Sequence, residues 1–464
     1  MKKWILFLVM MRFVAVYPQT NVSGNQSGTW TLSNSPYLVT ADITIPAGQT
    51  LYIEAGVIVN FQGHYRFIVN GKIVANGTDS NRIYFTTDNP ATGWGGIRLD
   101  GTPDISEFHY CTLEYGKTYA VAYPNNHGGA VMLKDADAEF YNCIFRYNSA
   151  MGDEDGMGGA VYAINTGTTT ETLTRFIDCT FTDNQSYGEG GAIKFTNDGH
   201  TELSGCEFTG NHCSYGGGAI SFYSVLDVTM TRCLFVDNYT DYSNGGAIHT
   251  LGYDNTLTFT NCTFYGNQAN GGDAGAASIV NTTADFTNCI IKNNPGTYSD
   301  NVFLGSGGAA SINYSDTPMP DGATGSNNID LDPLFVSVAN ADFHLQSASP
   351  CVDAGTDVGL FFTGSAPDMG CFEYDDSVGI HDYHRQLLRV FPNPATSYIR
   401  IGGLEHYDVI HLFNGLGQEV LVQHISKDLT NNHSINLATL PAGTYYVLAT
   451  GNMQNLGLQK FVKL

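Results

Sequence analysis

Positive charge is scarce in this chain, and charge of either sign is low. The 464 residues include 20 Lys+Arg and 44 Asp+Glu, which gives a formal net charge of −24 at pH 7, and only 14% of residues are charged. A protein that binds nucleic acid needs a basic surface to neutralise phosphates. Nucleic acid is therefore not an expected partner, and an anionic polysaccharide is disfavoured for the same reason. Calcium, neutral glycans or a basic protein surface suit this balance better.

Long apolar runs are also missing after the first residues. Lys2 and Lys3 precede an apolar run over residues 4–11, the pattern of a secretory signal peptide, although Arg12 interrupts it. We predict a signal peptide over residues 1–19 that is removed on export. No other stretch approaches the roughly 18 apolar residues of a membrane helix. We therefore expect no transmembrane segment in the mature chain.

Helical periodicity is nearly absent, and a β-type repeat takes its place. Five segments begin with Cys and carry Phe two residues later and Asn five residues later, at Cys143, Cys179, Cys206, Cys233 and Cys262. Degenerate copies begin at Cys111 and Cys289, and the steps between the seven cysteines are 32, 36, 27, 27, 29 and 27 residues. A repeat this short cannot bury a core of its own, so successive copies must stack.

A second motif, Gly-Gly-Ala followed by Val or Ile, keeps phase with the first. It begins at Gly128, Gly158, Gly190, Gly217 and Gly245. Strand alternation places Ile193, Phe195, Cys179 and Phe181 on the inner face. The Asn of each copy, such as Asn184, falls where the strand turns, so stacked Asn amides can bond to one another and tolerate a left-handed backbone. The paired glycines permit a sharp corner.

These patterns predict an all-β fold, a right-handed parallel β-helix (a pectate-lyase-like solenoid) followed by a small C-terminal β-sandwich. Seven cysteine-marked turns and about three earlier ones would make a rod on the order of 50 Å long. An antiparallel sandwich would need hairpin turns every 8–12 residues and would not keep two motifs in phase. We interpret the cysteines as a reduced, buried column, because the parallel Cβ vectors of stacked strands suit a disulfide poorly.

The two ends of the predicted rod carry recognisable sequence. Residues 20–101, with GTWTLSNSPYLVTADITI and WGGIRL, resemble the N-terminal cap and first turns of exported bacterial β-helix proteins. Residues 329–374, with IDLDPLFVSVANADFHLQSASPCVDAGTD, resemble the final segment of choice-of-anchor Q proteins. We predict a β-helix over 20–375, with a cap over 20–101 and C-terminal turns and cap over 296–375. A linker over 376–388 follows.

The last 76 residues, 389–464, differ in character from the rod. They contain VFPNPATSYIRI, HLFNGLGQEVL and LATLPAGTYYVLATGNMQNLGLQKFVKL in that order. These blocks resemble the type A C-terminal sorting domain of the Bacteroidetes type IX secretion system. The resemblance implies export through the periplasm by that machinery, removal of the tail, and release or attachment at the outer-membrane surface. A simple adhesive sandwich domain is the alternative.

The central repeats resemble those of the chlamydial polymorphic outer-membrane proteins, whose marks are GGA[ILV] and FxxN. Here the marks occur at Gly190–Ile193 with Phe181–Asn184, Gly217–Ile220 with Phe208–Asn211, and Gly245–Ile248 with Phe235–Asn238. The passenger regions of that family are surface adhesins. The resemblance covers only the rod and supports the fold and surface exposure more than any receptor.

A catalytic site is harder to find. The NTD, GHG and RIK motifs of pectinase-type hydrolases are missing from the rod, and a glycoside hydrolase needs two carboxylates across the scissile bond. A polysaccharide lyase needs a base such as Lys. The outward column one residue past each GGA[IV] places Lys194, Ser221 and His249 on three successive turns about 4.8 Å apart. This column is a weak catalytic candidate, and the alternative is an ordinary solvated strand face.

The acidic turn Asp153, Glu154 and Asp155 is a candidate calcium site. Three carboxylates clustered in a loop can ligate calcium, although their spacing does not match an EF-hand, and a solvated acidic turn is the alternative. The composition and repeats together predict a secreted or cell-surface β-helix protein that binds a polysaccharide or a host or cell-surface ligand, as in adhesion. A carbohydrate-active enzyme, most readily a polysaccharide lyase, is the second hypothesis.

Overall fold

The computed structural model describes residues 19–374 except 103, 120–124, 153–154, 168–171 and 253–254. In the C-terminal part it describes 389–463 except 392–394, 403–408, 415–417, 425–432, 439 and 451–455. Contacts divide the chain into two compact units, Met1–Leu331 and Asp332–Leu464. The predicted signal peptide, apart from Gln19, and the predicted linker lie outside the described residues.

The middle turns of the first unit contain four strands each, and the turn that begins at Leu173 is representative. Its strands are Leu173–Ile177, Thr180–Thr182, Gln185–Ser186 and Ile193–Thr196. Every one of them pairs in parallel with the equivalent strand of the following turn. Parallel pairing of equivalent strands, turn after turn, defines the parallel β-helix that the repeats predict.

The described strands of the first unit form three sheets, and their bounds follow. Sheet 1 begins with Thr20–Asn25 and Tyr37–Ile45, which span its two columns. Its first column continues through Ile58–Phe61, Ile83–Thr86, Cys111–Glu114, Ile144–Arg146, Thr180–Thr182, Glu207–Thr209, Leu234–Val236, Thr263–Tyr265 and Ile290–Lys292. Its second column continues through Phe67–Val69, Ile97–Asp100, Val131–Lys134, Val161–Ile164, Ile193–Thr196, Ile220–Tyr223, Ile248–Leu251, Ala277–Ile279 and Val302–Leu304.

Sheet 2 adds a third strand to the turns, and the six-stranded sheet 3 adds a short fourth strand to the middle turns. Sheet 2 contains Gly28–Trp30, Thr50–Glu54, Lys72–Asn76, Ser106–His109, Ala138–Tyr141, Leu173–Ile177, His200–Ser204, Asp227–Thr231, Asn255–Thr260, Thr282–Thr287 and Ala309–Asn313. Sheet 3 contains the short strands Lys117–Thr118, Ser149–Ala150, Gln185–Ser186, His212–Cys213, Tyr239–Thr240 and Gln268–Ala269. A 3₁₀ turn at Leu32–Asn34 lies near the start.

The core of the rod consists of stacked columns of like residues. Ile193, Phe195, Cys179 and Phe181 are fully buried, as the alternation predicts. The rings of Phe181 and Phe208 lie 4.7 Å apart and nearly parallel, and such pairs add to the stabilisation from burial. The seven ladder cysteines are free and fully buried, and their thiols donate to backbone carbonyls of the preceding turn. The thiols of the column therefore all have hydrogen-bond acceptors and form no disulfides.

A ladder of asparagines runs beside the core. Asn184 Nδ2 donates to Asn211 Oδ1 over 3.0 Å, and Asn211 repeats the bond to Asn238 over 2.9 Å. The predicted amide stack is confirmed. The left-handed backbone lies one residue earlier than the Asn, however, at residues such as Asp183 with φ of 52°. The Asn itself is buried, and its amide donates to the carbonyl of the central residue of the inner strand one turn earlier, as Asn211 does for Phe181.

The two glycines of each Gly-Gly-Ala motif have separate roles. Gly190 has φ of 69°, in the left-handed region that favours glycine. A Cβ on Gly191 would lie only 2.1 Å from the carbonyl oxygen of Gly218 on the next turn. The first glycine therefore makes the corner, and the second permits close approach between turns.

The second unit contains antiparallel pairs. Phe335–Ser337 pairs with Asp342–Leu345 across the 3₁₀ turn Val338–Asn340. The tail has one sheet of Arg389–Phe391, Tyr398–Gly402 and His433–Asn436, and one of Glu419–His424, Val409–Asn414, Gly443–Thr450 and Leu456–Lys463. Residues from both sheets, among them Ile399, Ile435, Leu412 and Val447, share one buried cluster. This is the small β-sandwich that the sequence predicts.

Candidate functional site

The structure places Lys194, Ser221 and His249 on three adjacent strands in direct register. Their side chains point away from the core, as the alternation predicts. They are nevertheless buried, with 3%, 0% and 8% of their surface exposed. Loop residues cover this face, since Glu189 contacts Lys194 and Ser221, and Gly216 lies against His249. The alternative of an ordinary solvated face is therefore wrong, and the three residues lie in a covered polar layer.

Glu189 completes this layer, and the sequence offered no direct sign of it. Lys194 donates to the Glu189 carboxylate and also to Ser221 Oγ over 3.0 Å. Ser221 in turn donates to Glu189 over 2.9 Å. Burial alone would raise the pKa of Glu189, but the charge of Lys194 and these hydrogen bonds outweigh burial and hold that pKa below its ordinary value.

His249 lies next to Ser221 on the following strand, but its Nδ1 makes no hydrogen bond to the cluster. Its Nδ1 has no hydrogen-bond partner, and a Cβ on Gly216 would lie 2.8 Å from that atom. Burial lowers the pKa of His249, Lys194 lowers it further, and Glu189 opposes them. The ring lies against the backbone of the loop at Gly216.

The hydrogen bonds among Glu189, Lys194 and Ser221 join one loop to two strands. Glu189 belongs to the loop 187–192, and Lys194 and Ser221 belong to two strands of sheet 1. A buried charge is stable only when it is paired and hydrogen-bonded. The ammonium of Lys194 is engaged in this way, so it is not a free base of the kind that lyase chemistry requires.

The covering loops display a row of exposed side chains, which we name the tyrosine strip. Its members are Tyr119, Met151, Tyr187, Tyr215, Tyr242 and Tyr298. Tyr187 is half-buried, and the exposed fractions of the others run from 42% for Tyr119 to 79% for Tyr298. Each member follows, by one or two residues, a position that pairs from turn to turn in sheet 3 or its continuation.

Backbone hydrogen bonds hold the strip in line. The Tyr215 amide donates to Gly188 O over 3.1 Å, and the Tyr242 amide donates to Ser214 O over 3.0 Å. The ring centroids of Tyr187 and Tyr215 lie 5.9 Å apart, and those of Tyr215 and Tyr242 lie 6.2 Å apart. The rings therefore follow the rod axis at about one ring per turn.

Side chains that end in amide, imidazole or phenol groups lie beside the tyrosine strip. The exposed amides of Gln185 and Gln268 lie in one register column with His212 and Tyr239. His212 lies 4.3 Å from the Tyr239 ring and bonds through Nε2 to Asp241 over 2.8 Å. This neighbourhood combines aromatic faces with groups that accept and donate hydrogen bonds.

The calcium hypothesis remains a prediction. Asp153 and Glu154 lie outside the described residues, and Asp155 is exposed. Among the residues that the structure does describe, no group of three His, Cys, Asp or Glu side chains is placed to hold a metal ion. None of the described helices is long and apolar enough to cross a membrane.

Two protein-family models match this chain, one over the β-helix and one over the C-terminal tail. Residues 96–317 match the model of the right-handed β-helix region, and residues 389–463 match that of the secretion system C-terminal sorting domain. No curated protein sequence matches the chain significantly. Fold and matches together define the chain as a right-handed parallel β-helix protein with a type IX sorting tail, exported by that machinery to the cell surface or the medium.

The tyrosine strip was not predicted from the sequence, although a signal exists. Tyr119, Met151 and Tyr187 each follow a ladder cysteine by eight residues, whereas Tyr215, Tyr242 and Tyr298 follow one by nine. Because the spacing changes, a search for side chains at one fixed distance from the cysteines does not detect the column. It becomes visible only when the register of the turns is known.

Proposed function

We propose that this protein is an extracellular binding protein that holds an extended ligand along the tyrosine strip. The observation that carries the proposal is the row of rings on consecutive turns, from the half-buried Tyr187 to the exposed Tyr215 and Tyr242. Rows of exposed apolar groups rimmed by polar residues mark interaction sites in soluble proteins. A stacked repeat offers such a row as a long, regular surface.

The shape of the strip favours a chain-like ligand over a globular partner. A stable protein–protein interface buries about 1,200–2,000 Å² around an apolar centre, whereas the strip is about one ring wide. Tyrosine supplies contact area at low cost in conformational entropy and carries a hydroxyl for hydrogen bonding. A single extended chain lying along the rod would use every ring.

Binding is preferred here to catalysis because of the state of Lys194. Its ammonium is engaged by Glu189 and Ser221 beneath the loops, so the candidate column supports the surface and does not present a base to a substrate. A carbohydrate-active enzyme remains the second hypothesis. An assay of new reducing ends against the same polysaccharides tests it directly, and cleavage of any of them would replace the binding proposal.

The binding proposal is tested with the secreted protein on a glycan array. The matched variants are Tyr215→Ala with Tyr242→Ala, against Tyr52→Ala, which removes an exposed ring from sheet 2, away from the strip. We expect the wild type and the Tyr52 variant to bind the same glycans and the double variant to lose them. Equal binding by the double variant, or binding to nothing, would refute the proposal.

A further inference from the structure

We infer that the ligand of the tyrosine strip is a neutral, linear, β-linked polysaccharide that lies along the rod axis with about one sugar residue per turn. This inference rests on the proposed binding function and specifies its ligand. Three features carry it: the spacing of the rings, the straightness of the row and the charge around it.

The spacing of the rings matches a chain of pyranoses. Successive turns rise by about 4.8 Å, and the centroids of Tyr187, Tyr215 and Tyr242 step by 5.9 and 6.2 Å. An extended chain of pyranose rings advances by nearly the same length per residue. The C–H groups on the face of a pyranose carry partial positive charge, and the face of a tyrosine ring is negative. Neighbouring rings are tilted to one another by 60° and 44°, so each ring would stack on the face of a separate sugar residue.

The straightness of the row selects the linkage. Tyr215, Tyr242 and Tyr298 each lie two residues after positions that pair from turn to turn, and Tyr187 lies one residue after its paired position, so the row follows the stacked parallel strands. A β-(1→4)-linked chain is flat and extended and can follow such a line, whereas an α-(1→4)-linked glucan coils away from it. One turn contributes no ring to the strip, because Gly271 occupies the position equivalent to Tyr242 on the following turn. The span from Tyr187 to Tyr298 is four turn steps, or about 19 Å, enough for about five sugar residues.

The charge around the strip selects a neutral chain. Asp241, Asp273 and Asp300 lie on the loops that carry the rings, and the last of them is exposed. In the part of the chain that the structure describes, the neighbouring cations are already engaged. Lys194 is buried against Glu189, and Lys117 Nζ donates to the carbonyl of Ala91. A uronate or sulfated chain would meet carboxylates here, whereas neutral hydroxyls can donate to Asp241 and bond to Gln185 and Gln268.

The experiment is calorimetric titration of the secreted protein with cello-oligosaccharides and manno-oligosaccharides of two to six residues. We expect affinity to rise with length, to level off near five residues, and to change little with added salt. Tyr215→Ala and Tyr242→Ala should each weaken binding roughly three- to tenfold. Tyr215→Phe, which keeps the ring, and Tyr52→Ala, which lies off the strip, should bind as the wild type does.

Charged and α-linked comparators make the outcomes distinguishable. Tighter binding of polygalacturonate, of a sulfated glycan or of maltohexaose would overturn this inference and leave the binding function standing. Affinity that does not depend on oligosaccharide length would also overturn it, since one ring would then suffice. Failure of every glycan on the array to bind would overturn the proposed function itself.

Discussion

Lys194 Nζ lies 3.0 Å from Ser221 Oγ on the next turn, and both groups hold the carboxylate of Glu189. The three residues are 5 and 27 positions apart in the chain, yet they form one hydrogen-bonded layer. The layer joins the loop that carries Tyr187 to two strands of sheet 1. The loop backbone that carries Tyr187 is therefore held to these strands by a buried ionic contact.

Removing the ammonium should destabilise the rod. Lys194→Met leaves the largely buried Glu189 carboxylate without its cation, and we expect the free energy of unfolding to fall by about 2–3 kcal/mol, since the carboxylate keeps some solvent contact. Chemical denaturation monitored by circular dichroism measures the change. Adding Glu189→Gln removes the unpaired charge and should recover at least half of the loss. If the double variant is as unstable as the single one, the ion pair is not the cause.

The asparagine ladder should be the most sensitive part of the repeat. Asn211 donates to Phe181 O and Asn238 Oδ1 and accepts from Asn184. Asn211→Ala leaves several buried polar groups without partners, and we expect a loss of about 3 kcal/mol or more. Denaturation midpoints measure it, with the exposed Gln268→Ala as control. A loss no larger than the control's would mean that water replaces the ladder bonds.

Stability should fall as the solution becomes mildly acidic because of His127. Burial lowers the pKa of His127 to about 4, Asp155 opposes this, and Arg98 and Lys194 add to it. The unfolded side chain binds its proton near pH 6.5, so the stability that neutral His127 contributes is intact above pH 6.5. It is lost as the pH falls towards about 4, by up to about 3 kcal/mol.

His127→Gln tests the assignment of this pH dependence. Equilibrium unfolding at pH 7 and at pH 5 should show a smaller difference for the variant than for the wild type, because glutamine does not titrate. His200→Gln, which replaces an exposed histidine, is the control. An unchanged pH dependence in the His127 variant would assign the effect to other groups.

The cysteine column should be chemically silent in the folded protein. Burial raises the pKa of Cys206 well above its ordinary range, and its thiol donates to Phe176 O over 3.3 Å. A buried thiol with a raised pKa is a poor nucleophile. We expect the ladder thiols to react with a thiol reagent only after denaturation, and intact mass to show them reduced. Rapid modification of the native protein at Cys206 would contradict this.

The tail should be needed for export and not for the rod. A chain that ends at Tyr374 lacks the sorting domain match over 389–463. In a bacterium with a type IX system, we expect this chain to accumulate folded in the periplasm, while the full chain reaches the surface or the medium. Cell fractionation and surface proteolysis measure the distribution. Surface display of the shortened chain would show that the tail is not the export signal.

The fold could be predicted closely because its determinants repeat. Cys179, Phe181, Ile193 and Phe195 recur at fixed positions, and alternation alone assigned them to the interior, where they are fully buried. Repetition also predicted the amide stack. The repeat assigned the left-handed conformation to the Asn, but the residue before it, such as Asp183, adopts that conformation. Both residue types tolerate a left-handed backbone. The position of the carbonyl that the Asn amide must reach decides which of the two adopts it.

The candidate site could be predicted only in part. Repeat phase correctly aligned Lys194, Ser221 and His249 on successive turns. It could not show that the preceding loops would cover them, since the loops vary in length and composition. Glu189 and the covering backbone of Gly216 come from those loops.

By itself the sequence determined the parallel β-helix, its inner columns and the sorting tail, because these depend on local alternation and on motifs that recur every 27 or so residues. Only the tertiary structure decided that Lys194 is buried and that the rings of Tyr187, Tyr215 and Tyr242 lie next to one another on successive turns. Both outcomes depend on how loops of unequal length stack across turns. Stacking is a relation between residues far apart in the chain, and it sets solvent exposure, which no local pattern specifies.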